Sequence, residues 1–243
     1  MAAARFFIDA PLATGAAIVL PKPVAHHATR VLRLRDGASI VLFNGSGGEF
    51  AATLSTDDGK TQALVGTHES IERESPLDVT LIQSWIGNDK LDWVVEKAVE
   101  LGVGSIVLAP AQRSVNRPSA ARSSARLERL RSIIISACAQ CGRNRIPVID
   151  SSPSWIDALQ EGLRRSSAGL LFHPDATSSL RDGSLPLRVA VAIGPEGGFD
   201  GDEVALALRL GYVSFRLGAR VLRTETAGLA ALAALQTVRG DLG

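Results

Sequence analysis

The chain has 243 residues, 46% of them hydrophobic, and 26 basic side chains against 25 acidic ones, for a formal net charge of +1. That is the profile of a soluble globular protein with material for one large core or two modest ones. The N-terminal "MAAARFFIDAPLA" lacks the long apolar core of a secretory signal, and no stretch approaches the roughly 18 uninterrupted apolar residues of a membrane span. A membrane role is excluded on that reading, and the expected location is the cytoplasm.

Up to about residue 72 the pattern is strand and turn. "SIVLFNGSGGEFAATL" places two β-rich runs on either side of Asn44 to Gly48, a hairpin signal, and "TDDGKTQALVGTH" supplies a further turn and strand. The one candidate for a helix is "VAHHATRVLRL", so a small β-barrel over residues 1–72 is the economical expectation. Its His26, His27, Arg30, Arg33 and Arg35 are candidates to touch phosphate, or are simply the exposed side of a short helix. The polar stretch "ESIERESP", from Glu69 to Pro76, predicts a boundary to a second domain over 73–243.

Beyond it the rhythm changes to strands alternating with helices. "LDVTLIQSW", "SIVLAP", "IPVID", "AGLLF" and "RVAVAI" read as strands, and "KLDWVVEKAVEL", "SWIDALQEGL" and "DEVALALRL" as helices. That alternation predicts an α/β fold with a mostly parallel sheet covered on both faces. In the first of these helices Leu91, Val94, Val95, Ala98 and Val99 fall on the inward side. A longer helix follows the second strand. Its Leu127, Leu130, Ile134 and Ala137 recur at three- and four-residue spacing, while Arg122, Arg126 and Arg129 share another face. From Arg113 to Arg145 the chain carries eight arginines and one acid, Glu128, a local field that suits a polyanion. Cys138 and Cys141 form C-x-x-C, but they close a helix instead of opening one, and no second pair completes a zinc site. They read as reduced, packed cysteines, and no metal is expected.

Two loops carry the chemistry. "VAVAIGPEGGFDGDE" runs from a buried strand through Gly194-Pro195-Glu196-Gly197-Gly198 into a helix, where ligands of open α/β sheets bind. Such turns ordinarily attract phosphate. Here there is no G-x-G-x-x-G and no G-K-[ST], Pro195 removes a donor, and Glu196, Asp200, Asp202 and Glu203 place carboxylates around the turn. A ligand rich in hydrogen-bonding edges but free of phosphate fits better, and S-adenosylmethionine is such a ligand. About 20 residues on, "LGARVLRTETAGL" ends a strand at Gly218 and opens a long helix near Thr224, with Thr224 or Thr226 as its cap. Arg223 and Glu225 lie at its mouth, and a cation there opposes the helix dipole. The helix itself, "TETAGLAALAALQTV", is apolar nearly all round, which predicts a tight interior or a subunit interface.

Taken together, "EKAVELGV", "QRSV", "ACAQCGRNRIP", "IGPEGGF", "LGARVLRTETA" and the closing "GDLG", in that order, resemble the bacterial ribosomal RNA small subunit methyltransferase E family of the SPOUT superfamily. "HHATRVLRLRDGASIVLFNGSGGEF" is similar to that family's N-terminal PUA-like RNA-binding domain, so the resemblance covers the whole chain. It implies an α/β domain whose C-terminal segment threads a deep trefoil knot, with S-adenosylmethionine bound in the knotted loops. It also implies homodimerisation through the knotted domain, and methylation of ring nitrogen 3 of one uridine in the decoding region of 16S rRNA. By matching motif the cofactor site takes Gly194, Pro195, Glu196, Gly197 and Gly198, then Leu217 and Gly218, then Val221, Leu222 and Arg223. Leu171 to His173 form a third wall.

Methylating that nitrogen requires loss of its proton and a cation for the developing uracil anion. Glu225 and Glu196 are the candidate bases and Arg223 and Arg113 the candidate cations, with Glu225 favoured because Glu196 has its own loop to hold. RNA is expected to bind the N-terminal barrel and the Arg122, Arg126, Arg129 face. The competing classes are an α/β enzyme using NAD or ATP, a non-catalytic RNA-binding assembly protein, and a thiol oxidoreductase.

Overall fold

The computed structural model describes residues 3–57, 60–180 and 185–243. They form two compact units, Met1–Glu74 with Cys138–Ile146, and Ser75–Ala137 with Pro147–Gly243. The expected turn at 58–59 lies outside the described residues.

In the first unit, strands β1 (Ala4–Phe7), β2 (Ala17–Val19), β3 (Ser39–Phe43), β4 (Glu49–Asp57) and β5 (Lys60–Glu69) form one sheet in the order β1-β3-β4-β5-β2. β1 runs parallel to β3, and the other neighbours are antiparallel. The β3–β4 hairpin turns through Gly45, Gly47 and Gly48, all at positive φ, a conformation that costs glycine nothing. Alternate residues Ile40 and Leu42, Ala52 and Leu54, and Ala63 and Val65 point to one face and join Phe6, Ile8, Leu20 and Ala28 in a single core. Period-two patterning therefore builds this half, as the sequence predicts. The expected helix is short. α1 (Lys22–His26) passes directly into a π-helical turn, His27–Val31, and Arg33 then adopts φ 55°, a conformation uncommon outside glycine.

The linear division at residue 72 misses one part of this unit. Residues 138–146 belong to it, because they bring partners to a buried carboxylate. Glu49 is 7% exposed and accepts hydrogen bonds from Arg5 at 2.5 Å, Arg73 at 2.9 Å and Asn144 at 3.0 Å. Asn144, wholly buried, also donates to the Ile71 carbonyl at 2.7 Å, and Arg143 pairs with Glu74 at 2.5 Å. Burial alone would raise the Glu49 pKa, but the hydrogen bonds from Arg73, Arg5 and Asn144 outweigh it and hold the group at about 2. Both cysteines are free thiols. Cys138 is buried and its pKa is pushed to about 12 by desolvation, so it is inert and not a redox nucleophile.

The second unit is a six-stranded sheet, β6 (Asp78–Ser84), β7 (Ser105–Ala109), β8 (Val148–Ser151), β9 (Ala168–Phe172), β10 (Arg188–Ile193) and β11 (Tyr212–Phe215). The order is β11-β9-β10-β6-β7-β8, and every pair is parallel. β6 and β10 are buried along nearly their whole length, as helices on both faces require. On one face Ile82, Ala190, Ala192 and Leu171 pack with Trp155, Ala158 and Leu159 of α4 (Trp155–Arg165) and with Ala207 of α5 (Gly201–Arg209). On the other face Leu81, Gln83 and Ile193 meet Gly228 of α6 (Thr224–Arg239). α2 (Asn88–Glu100) packs against α6 and buries the five predicted residues Leu91, Val94, Val95, Ala98 and Val99. α3 (Ala120–Cys141) buries Leu130, Ile134 and Ala137, with Leu127 only half-buried. α4 comes closest to the sheet at Gly162, where a Cβ would stand 2.6 Å from Ile82 Cδ1 and 2.7 Å from the Tyr212 hydroxyl. That hydroxyl donates to the Leu159 carbonyl at 2.9 Å. Among the described residues no helix is long and apolar enough to cross a membrane.

Two outcomes follow for stability. A carboxylate depressed from 4.5 to about 2 stabilises the folded state above its unfolded pKa, and that stabilisation is lost as pH falls from about 4.5 through 2. Glu49→Gln should therefore weaken the first unit by about 3–5 kcal/mol at neutral pH and flatten its loss of stability over that window. Hydrogen exchange of the β3 and β4 amides reads this, since Trp85, Trp93 and Trp155 all lie in the second unit. Gly162→Ala should cost the second unit about 1–3 kcal/mol through overpacking, measured as a lower denaturation midpoint by tryptophan fluorescence.

Candidate active site

The strand order places the carboxyl ends of β11, β9 and β10 side by side, and their following loops enclose a cleft of about 700 Å³. Phe172 to Asp175 come from the end of β9, Ile193 to Phe199 from the end of β10 and its loop, and Leu217 to Glu225 from the segment after β11 and the first turn of α6. Lys90 of α2 and Arg113 complete the wall.

Each loop has a local reason for its shape. After β10, Gly198 donates to the Pro195 carbonyl at 3.0 Å and takes φ 69°, closing a tight turn. The turn ends at α5, whose start is a capping box in which Asp200 and Glu203 each accept the other's backbone N–H. Glu203 also accepts from the Gln112 amide at 2.8 Å, and Arg113 donates to the Gly197 carbonyl at 3.2 Å. These contacts tie the segment after β7 to the glycine turn. A Cβ on Gly197 would approach the Arg113 Cβ to 3.0 Å, so the glycine permits this close approach. After β9, His173 accepts the Asp175 amide on Nδ1 at 3.3 Å, a local turn contact.

The predicted cap of α6 is different. Neither Thr224 nor Thr226 caps the helix: Arg223 holds the N-cap position with no side-chain hydrogen bond. The Thr224 hydroxyl instead donates to the Gly194 carbonyl at 2.5 Å and accepts from Gln83 Nε2 at 3.0 Å. Being buried against the sheet, it serves β6 and β10 instead of its own helix. One residue on, Glu225 faces the cleft with its side chain 16% exposed, and its Oε2 is shut off from solvent without a hydrogen-bond partner. The nearest cation is Lys90, whose Nζ is 3.9 Å from Glu225 Oε2 and 3.3 Å from Glu196 Oε1. Arg223 is exposed at the rim and forms no ion pair among the described residues.

Of the predicted cofactor and catalytic residues, the cleft gathers Arg113, His173, Gly194, Pro195, Glu196, Gly197, Gly198, Leu217, Gly218, Val221, Leu222, Arg223 and Glu225. Leu171 is not among them. It is wholly buried in the core under α4, because alternation along β9 turns it to that face, and Phe172 lines the cleft instead. Lys90 and the supporting Gln83 lie outside the sequence-based expectation, and Thr224, expected only as a helix cap, bonds across the strands instead. For Lys90 the available signal was a lysine in the first turn of a helix, where the dipole disfavours it.

The predicted RNA contacts divide. His27, Arg30, Arg33 and Arg35 are all exposed on the first unit. In the second unit Arg122 is exposed, while Arg126 is half-buried, stacked on Trp85 at 4.8 Å and donating to the Ile86 carbonyl at 3.0 Å. Arg129 is paired with Asp92. The three arginines therefore do not present one free basic face.

A sequence model of the family described as RNA methyltransferase domain matches residues 73–236, and one described as RNA methyltransferase PUA domain matches residues 20–65. The ribosomal RNA small subunit methyltransferase E of Buchnera aphidicola is 32% identical over 98% of this chain and 94% of its own. A methyltransferase of Legionella pneumophila, solved in complex with the bound cofactor SAM, superposes with a TM-score of 0.94 at 32% identity, covering both chains fully. The ribosomal RNA small subunit methyltransferase E of Neisseria gonorrhoeae, solved bound to S-adenosyl methionine, gives 0.89 at 34%, again over both whole chains. With its parallel sheet, its PUA-like partner domain and a cleft at the strand ends, the chain belongs to the ribosomal RNA small subunit methyltransferase E family of RNA methyltransferases.

Proposed function

We propose that this protein methylates ring nitrogen 3 of a specific uridine in the decoding region of 16S rRNA, using S-adenosylmethionine, in the cytoplasm. The observation that carries this reading is a cleft walled by backbone and glycine with the Glu225 side chain on its wall, its carboxylate held with one oxygen, Oε2, buried and without a hydrogen bond. The residues suit that cofactor. Main-chain groups of 194–198 and 217–223 offer hydrogen-bonding edges, Phe172 and Leu222 offer apolar surface, and Glu196 and Glu225 complement a cation. When bound, the cofactor supplies the methyl group.

The chain's own contribution is proton removal and charge placement. The Glu225 carboxylate accepts the N3 proton, leaving the nitrogen lone pair free for the incoming methyl group. Arg113 and Arg223 place positive charge where the uracil oxygens become electron-rich. Gln83 and Thr224 fix the start of α6, so that the base does not have to find its position during the reaction.

RNA binding is assigned to the exposed His27, Arg30, Arg33 and Arg35 surface of the PUA-like domain, with Arg122 as a second contact. Two copies are proposed to pair through the second domain. In support, α6 buries only one side, while Val238 and Leu242 at its end stay about half-exposed. The resemblance to SPOUT proteins further suggests a trefoil knot formed by the last segment. The return of the chain from edge strand β11 to α6, against β6 and β10, suits such threading.

The test is methyl transfer from labelled cofactor to small ribosomal subunits from cells lacking this gene, with mass-spectrometric mapping of the product. One 3-methyluridine in 16S rRNA is expected, and RNA binding without transfer would leave a non-catalytic assembly protein. Glu225→Gln should lower the single-turnover rate by about 10²–10⁴-fold with cofactor affinity nearly unchanged. Removing the charges of Arg30 and Arg35 together should flatten the salt dependence of RNA affinity by roughly 0.7 log units per log salt for each phosphate no longer neutralised. An unchanged slope would take this surface out of the interface.

A further inference from the structure

Lys90 stands at the third position of α2, in a helical turn whose N-cap, Gly87, supplies no side-chain hydrogen bond. The helix dipole opposes a cation there, so local helix formation does not account for it. Two arginines of α3 brace the turn on either side. Arg126 stacks on Trp85 and donates to the Ile86 carbonyl before Lys90, and Arg129 binds Asp92 after it. A backbone fixed in this way delivers the ammonium to the cleft, where it lies 3.3 Å from Glu196 Oε1 and 3.9 Å from Glu225 Oε2.

The two distances have different meanings. At 3.3 Å and with hydrogen-bond geometry, Lys90 is a donor to Glu196. At 3.9 Å from Glu225 Oε2 it acts as a charge and not as a donor, which leaves that buried oxygen without a hydrogen bond. A lysine without Glu196 would be free to close on Glu225 and occupy that oxygen.

We infer that Lys90 is a positioning residue for the methyl-transfer reaction: Glu196 tethers its ammonium, and the tethered ammonium holds the Glu225 carboxylate in place without blocking it. This inference rests on the reading of Glu225 as the base. It gives Glu196 the part of an anchor, and it makes Arg126 and Arg129 supports of the site.

The experiment measures single-turnover methylation of small ribosomal subunits and, separately, cofactor affinity by calorimetry. The proteins are the wild type, Lys90→Met, Lys90→Arg, Glu196→Gln and the Lys90→Met/Glu196→Gln double variant. Lys90 is partly exposed, and an unshifted tryptophan unfolding midpoint will confirm that each variant folds. Lys90→Met should slow the transfer step on the order of 30-fold while cofactor affinity stays within about threefold. Lys90→Arg should recover part of the rate. The double variant should be no slower than Lys90→Met alone, because the two residues act as one unit. A Lys90→Met rate within about twofold of wild type, a loss confined to cofactor affinity, or additive losses in the double variant would overturn the inference while leaving the methyltransferase reading intact. Failure of the wild type to transfer any methyl group would overturn both.

Discussion

One hydroxyl group organises the catalytic half of this molecule. Thr224 lies at the first turn of α6, accepts a hydrogen bond from Gln83 in the middle of the sheet and donates one to Gly194 at the end of β10. All three belong to segments far apart in sequence. A buried polar group in such a place is costly unless paired, so the register of α6 against β6 and β10 is set by the need to satisfy it. Glu225 follows immediately in the chain, and its direction into the cleft is a consequence of that register. The glycine turn depends on the same bond, because Gly194 is where it begins.

The first unit is organised around a charge instead of a dipole. Glu49 is surrounded by Arg5, Arg73 and Asn144, and the segment carrying Asn144 arrives from the end of α3. A buried carboxylate with fewer donors would be a liability, and with this set it becomes a strong specification of which segment belongs there. The two cysteines precede the same segment, and burial gives Cys138 a packing role. The C-x-x-C spacing thus reflects two positions at the end of α3.

Much of this is legible in the sequence alone. Leu91, Val94, Val95, Ala98 and Val99 announce the buried side of α2 by spacing, and Gly194 to Gly198 announce a loop of the cleft by glycine content and position after a strand. What fails to show in the sequence depends on which strands become neighbours. Lys90 meets Glu196 and Glu225 only because α2 starts beside the ends of β10 and α6, a fact of strand order that local patterns do not encode. Leu171 and Phe172 are indistinguishable as apolar residues at a strand end, and only the pleat assigns one to the core and the other to the cleft. The arginines of α3 look alike on a helical projection, yet Trp85 captures Arg126 and Asp92 captures Arg129, which leaves Arg122 exposed.

The return of residues 138–146 to the first unit bears on how this protein can be rebuilt. A gene fragment ending at residue 74 would encode every strand of that sheet but not Asn144 or Arg143, and would strand Glu49 with an incomplete set of donors. The PUA-like half is therefore not a cassette that recombination can lift out by a single cut. It travels only with the long helix that returns to it, so exchange of this domain is restrained by one short internal stretch of chain.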